Sequence, residues 1–339
     1  MRFIMMIPPA KIRSKSHVAR QRGILGTVAA LLITASVTFA QGTATPATPA
    51  TPPSPPSPLN GIRNKISAGD LLSAESILEV HRVKNGEDTT WLVGLSWLAR
   101  GALLVGDIEK AERYAAQVRT NCADRMAHGA ELEKDDDLEY AYGTAIEVEA
   151  QRIERMKGVR ESAEYVRNEL ARVKGPPSLI SRLNKRINIL TLTGEPAPEL
   201  IVEDFLYNPP PTLASLRGKP VLLFIWAFWC GDCKAQEAAL AKVKSRYADR
   251  GLQVVTLTRY YENDSVRTRE KAKVDSVWNA VYTDVGTVPI VISTASMERY
   301  GGSSTPTFVF VDRAGIVRRY TPTRLTEEEL DRTLESLTR

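Results

Sequence analysis

The chain has 339 residues, with 45 Lys and Arg against 40 Asp and Glu, a net charge of +5. Six of those bases (Arg2, Lys11, Arg13, Lys15, Arg20 and Arg22) fall in the first 22 residues, where there is no acid, so the remainder carries −1. That balance gives no reason to expect nucleic-acid binding, and three cysteines are too few for a disulfide-stapled scaffold.

The basic opening is followed by an apolar stretch, Ile24 to Ala40, that ends in small residues before Gln41. Basic region, apolar core and small residues in that order predict a secretory signal over 1–40, cleaved near Ala40. The product would be exported, periplasmic or otherwise extracytoplasmic. Left uncleaved, the segment would tether the protein to a membrane. Residues 41–59, rich in Thr, Ala, Pro and Ser, read as an extended spacer.

From 60 to 190 the composition is that of helices. Gly69, Gly106 and Gly158 are each followed by four residues and then an Ala-Glu pair, Ala74-Glu75, Ala111-Glu112 and Ala163-Glu164. A Gly suits a tight inter-helix turn and an Ala lets the next helix approach closely. The pattern resembles tetratricopeptide-type hairpins, although the spacings of 37 and 52 residues depart from a repeat of about 34. Trp91, Trp97 and Tyr114 are expected to pack between helices, and Glu131 to Glu139 to face solvent.

Gly194-Glu195-Pro196-Ala197-Pro198 marks a boundary, and 194–339 reads as an α/β domain. The predicted elements are a hairpin over Leu200–Leu206 and Thr212–Leu216, then a strand over Val221–Ala227. A helix from Cys233 to about Tyr247 and a strand over Leu252–Thr258 follow. Beyond them come a helix over Ser265–Tyr282, an antiparallel pair at Thr307–Val311 and Ile316–Tyr320, and a last helix opening at Thr326. Glu329 is placed to close a capping box on that helix.

The chemistry concentrates where the apolar run Phe224 to Trp229 ends in Cys230-Gly231-Asp232-Cys233. Two cysteines three apart at a helix start can close a small disulfide ring. The first lies beside unpaired N–H groups and the positive helix end, which favour the nucleophilic thiolate. Zinc is the rival reading, but Cys122, His81 and His128 supply no second ligand pair, and His17 lies in the signal. A purely structural disulfide is disfavoured because so short a loop constrains the unfolded chain little.

Four motifs carry a family resemblance, in family order: 194–198, Leu216-Arg217-Gly218-Lys219-Pro220, Trp226 to Cys233, and Ser304-Thr305-Pro306-Thr307 followed by 311–315. Together they resemble the TlpA/ResA group of extracytoplasmic thioredoxin-like oxidoreductases. The resemblance implies a thioredoxin-like fold over 194–339 behind the all-α hairpin region. It implies Cys230 as attacking thiolate, Cys233 as resolving thiol and a cis Thr305–Pro306 bond. Trp229, Thr305 and Pro306 would contact substrate, with Trp229 and Pro306 also serving catalysis, and no cofactor or metal is implied.

There are departures from the family pattern. Asp232 stands before Cys233, Ala238 replaces a helix-bending proline, Gln236 replaces a Glu, and Phe224 stands where thioredoxins bury an acid. Asp232 should oppose the Cys230 thiolate, with Lys234 the only nearby cation. Glu237 or Asp232 is left as proton acceptor for Cys233, against the plainer reading of Glu237 as an exposed helix residue. A thiol peroxidase is disfavoured because Ala227 occupies the position of the expected Thr.

Two function classes follow. One is a disulfide reductase acting on protein disulfides and recharged by a membrane thiol-electron transporter. The other is a scaffold whose helical domain binds a protein partner beside a weakly active thioredoxin-like domain.

Overall fold

The computed structural model describes residues 57–173 and 175–339; the expected signal segment and nearly all of the expected spacer lie outside them. Helix α1 (Pro58–Ser67) takes in the last two residues of the expected spacer. Proline tolerates a first helical position, where its missing N–H has no intrahelical partner.

Six more helices follow: α2 (Leu71–Asn85), α3 (Thr89–Val105), α4 (Ile108–Ala127), α5 (Asp136–Met156), α6 (Val159–Arg172) and α7 (Pro177–Thr191). Gly69, Gly106 and Gly158 sit at φ of 75°, 87° and 112° in the turns between α1 and α2, α3 and α4, and α5 and α6. Ala74, Ala111 and Ala163, the small residue of each motif, are buried on the second helix of each pair. Asp70 and Asp107 cap α2 and α4 by accepting from the N–H groups of Ser73 and Lys110. Trp91 is buried, Trp97 stacks on Tyr140, and the Tyr114 hydroxyl donates to Glu75 at 2.8 Å. All three are packing residues. Leu138, inside the run expected to face solvent, is buried because α5 has already begun there.

Cys122 is buried among these helices, and burial pushes its thiol up to about 12. At pH 8 its thiolate fraction is then on the order of 10⁻⁴. We expect alkylation of Cys122 only after unfolding, and unaltered disulfide chemistry in Cys122→Ser. Stoichiometric labelling of Cys122 in the folded, reduced protein would contradict this.

The second half is built on strands β1 (Asp204–Leu206), β2 (Val221–Ile225), β3 (Gln253–Thr258), β4 (Ile290–Ile292), β5 (Thr307–Val311) and β6 (Val317–Thr321). They form one sheet in the order β1-β4-β3-β2-β5-β6, with β2, β3 and β4 parallel and the others antiparallel to their neighbours. Helices α8 (Gly231–Lys234), α9 (Glu237–Arg246), α10 (Arg267–Val281), α11 (Thr294–Arg299) and α12 (Glu327–Thr338) complete it. Alternation along β2 sends Leu222 and Phe224 into the core shared with α9, α10 and α12. Val221, Leu223 and Ile225 enter a second core with Met297 and Tyr300. Both faces of the sheet are therefore covered, which is why β2 is apolar throughout.

Three expectations change. The hairpin over 200–216 does not form: β1 pairs with β4, and 214–216 is a single 3₁₀ turn. The helix after the cysteines is two helices broken at Ala235–Gln236. Strand β4 and helix α11 were not anticipated. The capping box on α12, Thr326 with Glu329, is present as expected.

Candidate functional site

Strand β2 delivers the chain to the redox pair. Trp226 and Ala227 are buried after the strand ends, and Cys230 then forms the N-cap of α8. Cys230 and Cys233 are joined as a disulfide. Their exposures differ: Cys230 is 5% accessible and Cys233 fully buried, so only the first can be met by a partner. The Cys233 N–H donates to Cys230 Sγ at 3.1 Å. Helix α8 has only four residues, so its dipole adds little; that local N–H is the main backbone stabilisation available to a Cys230 thiolate.

Opposite the pair lies the loop before β5. Its Thr305–Pro306 bond is cis, and the Thr305 carbonyl oxygen stands 3.5 Å from Cys230 Sγ. On the other side Trp229 projects with 57% of its surface exposed. Its ring meets the edge of Tyr261 at 5.4 Å, and the Arg259 guanidinium lies 4.8 Å over the Tyr261 ring. Cys230, Cys233, Trp229, Thr305 and Pro306 thus lie in one region, with the more accessible sulfur of the pair beside the loop before β5.

The family's altered positions each have a physical account. Gln236 is buried, and its amide makes a two-point latch to Leu325: Nε2 donates to the carbonyl at 3.0 Å and Oε1 accepts from the N–H at 2.8 Å. A carboxylate could not donate the first of these bonds, so a neutral amide suits the position. The helix breaks at this latch without a proline, and Ala238 is exposed. Phe224 packs on Phe308 and Tyr282, with ring centroids 5.3 and 6.0 Å away.

Asp232 pairs with Arg324 at 3.2 Å, both largely exposed. Arg324, in the loop before α12, is a cation that sequence proximity could not find, 92 positions away. Glu237 opens α9 with its Oε1 buried and without a hydrogen-bond partner. It is not the fully exposed residue of the plainer reading. Tyr282 Oη and Trp226 Nε1 are likewise buried and unpaired, and both residues lie in the core that holds the two cysteines. Burial, and next the charge of Glu237, push the Tyr282 phenol well above its ordinary range. Among the described residues no three His, Cys, Asp or Glu side chains gather into a metal-sized cluster.

Residues 192–334 match the Redoxin family model. They are a redoxin domain with a thioredoxin-like fold. The Thioredoxin-like protein YneN of Bacillus subtilis is 27% identical over 143 residues, covering 42% of this chain and 78% of that protein. The Thiol-disulfide oxidoreductase ResA of Bacillus cereus is 26% identical over 145 residues, covering 43% of this chain and 78% of its own. A solved thiol:disulfide interchange protein of Chlorobium tepidum is 19% identical, spans 43% of this chain and 97% of its own, and gives a TM-score of 0.32. All three matches cover less than half of this chain. No helix among the described residues is long and apolar enough to cross a membrane.

Proposed function

We propose that this thiol:disulfide oxidoreductase is an exported reductant of protein disulfides. The observation that carries the reading is the asymmetry of the pair, an N-cap Cys230 at the surface beside Thr305–Pro306 and a fully buried Cys233. In the reduced enzyme the Cys230 thiolate attacks one sulfur of a substrate disulfide and forms a mixed disulfide, releasing the other sulfur as a thiolate. Cys233 loses its proton and attacks Cys230 Sγ, which closes the 230–233 disulfide and releases the second substrate sulfur. Two electrons pass to the substrate, and a membrane thiol-electron transporter is the proposed source of their replacement.

Glu237 is the proposed acceptor of the Cys233 proton. Its buried, unpaired oxygen in the same part of the fold supports that role. Trp229, Thr305 and Pro306 form the proposed substrate surface. The helical segment 60–190 is read as a tetratricopeptide-like partner-binding part, and the exported form is expected to begin at or near Gln41.

Equilibration against glutathione tests the direction of electron flow. An adjacent carboxylate disfavours the thiolate and so stabilises the oxidised form, giving a reducing couple on the order of −270 mV or lower. Asp232→Pro should make the couple more oxidising. Arg324→Ala removes a cation and should make it more reducing, by only about 10 mV because the pair is exposed. A wild-type potential above about −150 mV would reject the reductant assignment.

A further inference from the structure

Helix α7 reaches the loop of the redox site through one side chain. Lys185 Nζ donates to Ser304 Oγ at 3.2 Å, and Ser304 precedes Thr305. The same helix braces the root of that loop. Asn188 Nδ2 donates to the Arg299 carbonyl at 3.0 Å, and a Cβ on Gly301 would stand 2.3 Å from Lys185 Cα. Gly301 also sits at φ 65°, so both its space and its conformation require glycine. On its other side Lys185 lies 3.5 Å from Glu147, which Arg182 and Arg100 bind at 2.8 and 2.9 Å.

The charge network does not account for this lysine. Glu147 already has two guanidinium partners, both nearer. Burial first, then the positive charges of Arg182 and Arg100, lower the Lys185 pKa, opposed by Glu147 alone. Three cations crowd one carboxylate, and a neutral side chain at 185 would relieve that crowding. The contact left to explain is the one to Ser304.

We infer that Lys185 is a positioning residue through which the helical half sets the loop 301–306 against Cys230 for a peptide-borne disulfide. The accessible edge of that loop, exposed Ser303 with half-buried Ser304 and Thr305, is the rim a peptide must pass on its way to Cys230, itself only 5% accessible. A small disulfide presents its sulfur without lying along the rim. The inference rests on the disulfide-reductase reading for its consequence in turnover, but not for the loop contact itself.

The test uses the full chain with Lys185→Met, Ser304→Ala and the pair together. Lys185→Met leaves Glu147 with Arg182 and Arg100, so no buried carboxylate is stranded. Ser304→Ala removes a single oxygen and keeps the question open to measurement should the first variant fold poorly. For a disulfide-bonded peptide, KM should rise about 5- to 10-fold with kcat within about twofold, the loss of one charge-assisted hydrogen bond. Reduction of oxidised glutathione should not change in Lys185→Met, and the double variant should match the singles.

A second readout is independent of turnover. The N–H groups of Gly301 and Gly302 donate to the Glu298 and Met297 carbonyls at 3.0 and 2.7 Å, and their hydrogen exchange should quicken severalfold in each variant. Unchanged exchange at these amides, or an equal loss on peptide and glutathione disulfides, overturns the inference. Faster exchange in a protein whose wild type cannot reduce peptides supports the loop contact and refutes the reductase reading instead.

Discussion

Cys233→Ser should convert the enzyme into a trap, and Cys230→Ser should abolish the reaction at its first step. Steady-state reduction of a protein disulfide should fall on the order of 10³-fold or more in both variants, because each removes one member of a unit that acts together. Only Cys233→Ser should accumulate a mixed disulfide, since its remaining cysteine is the accessible one. Cys122 cannot substitute, being buried as a neutral thiol. Non-reducing electrophoresis after exposure to an oxidised substrate separates the two outcomes. Equal trapping by both variants would show that the buried sulfur is reached as readily as the surface one and would break the assignment of roles. In the same assay Glu237→Gln should prolong the mixed disulfide about 10²-fold near pH 7, the size expected for loss of a general base. Raising the pH should restore the rate, because Cys233 then ionises without help. A Glu237→Gln enzyme that resolves at the wild-type rate would return Glu237 to a packing role.

What the sequence disclosed and what it hid divide along contact distance. Strand β2 was legible because an apolar run covered on both faces needs no partner to be recognised. The capping box of Thr326 and Glu329 was legible because its bonds close within three residues. The inter-helix turns showed themselves through Gly69, Gly106 and Gly158, whose positive φ only glycine adopts without strain. Strand β4 was missed because Ile290–Ile292 is three residues long, too short to show any period, and is held as a strand by β3 and β1. The same pairing removed the expected hairpin, since β1 found its partner some 85 residues away.

At the site, the cysteines, Trp229 and Pro306 were visible as a motif, but their electrostatic surroundings were not. The break after α8 depends on Gln236 meeting Leu325, the charge beside the pair depends on Arg324 meeting Asp232, and the far rim depends on Lys185 meeting Ser304. Each is a polar contact across more than 85 positions, made by a residue type common on any surface. Composition and spacing carry no signal for such pairings.

The helical half has its own buried charge, and removing it should produce the largest stability loss away from the cysteines. Glu147 is buried, and burial alone would raise its pKa. The opposing charges of Arg182, Lys185 and Arg100 outweigh that and hold the carboxyl far below the usual range. Glu147→Gln keeps the shape but leaves the largely buried Arg182 and Lys185 facing one another uncompensated. Stranding partners of a buried ion pair costs about 3–5 kcal/mol, or a fall in Tm on the order of 10 °C for a protein of this size. The pH dependence fixes the cause. A carboxyl whose folded pKa is depressed contributes stability in full above its unfolded value of about 4.3, and that contribution fades as pH falls toward the folded value. If Glu147 stays ionised in the folded protein, the gap between wild type and Glu147→Gln should be about 1.8 kcal/mol smaller at pH 3 than at pH 7. Urea melts at the two pH values measure it. A gap of the same size at both would mean that Glu147 holds α3, α5 and α7 together by shape and hydrogen bonding rather than by its charge.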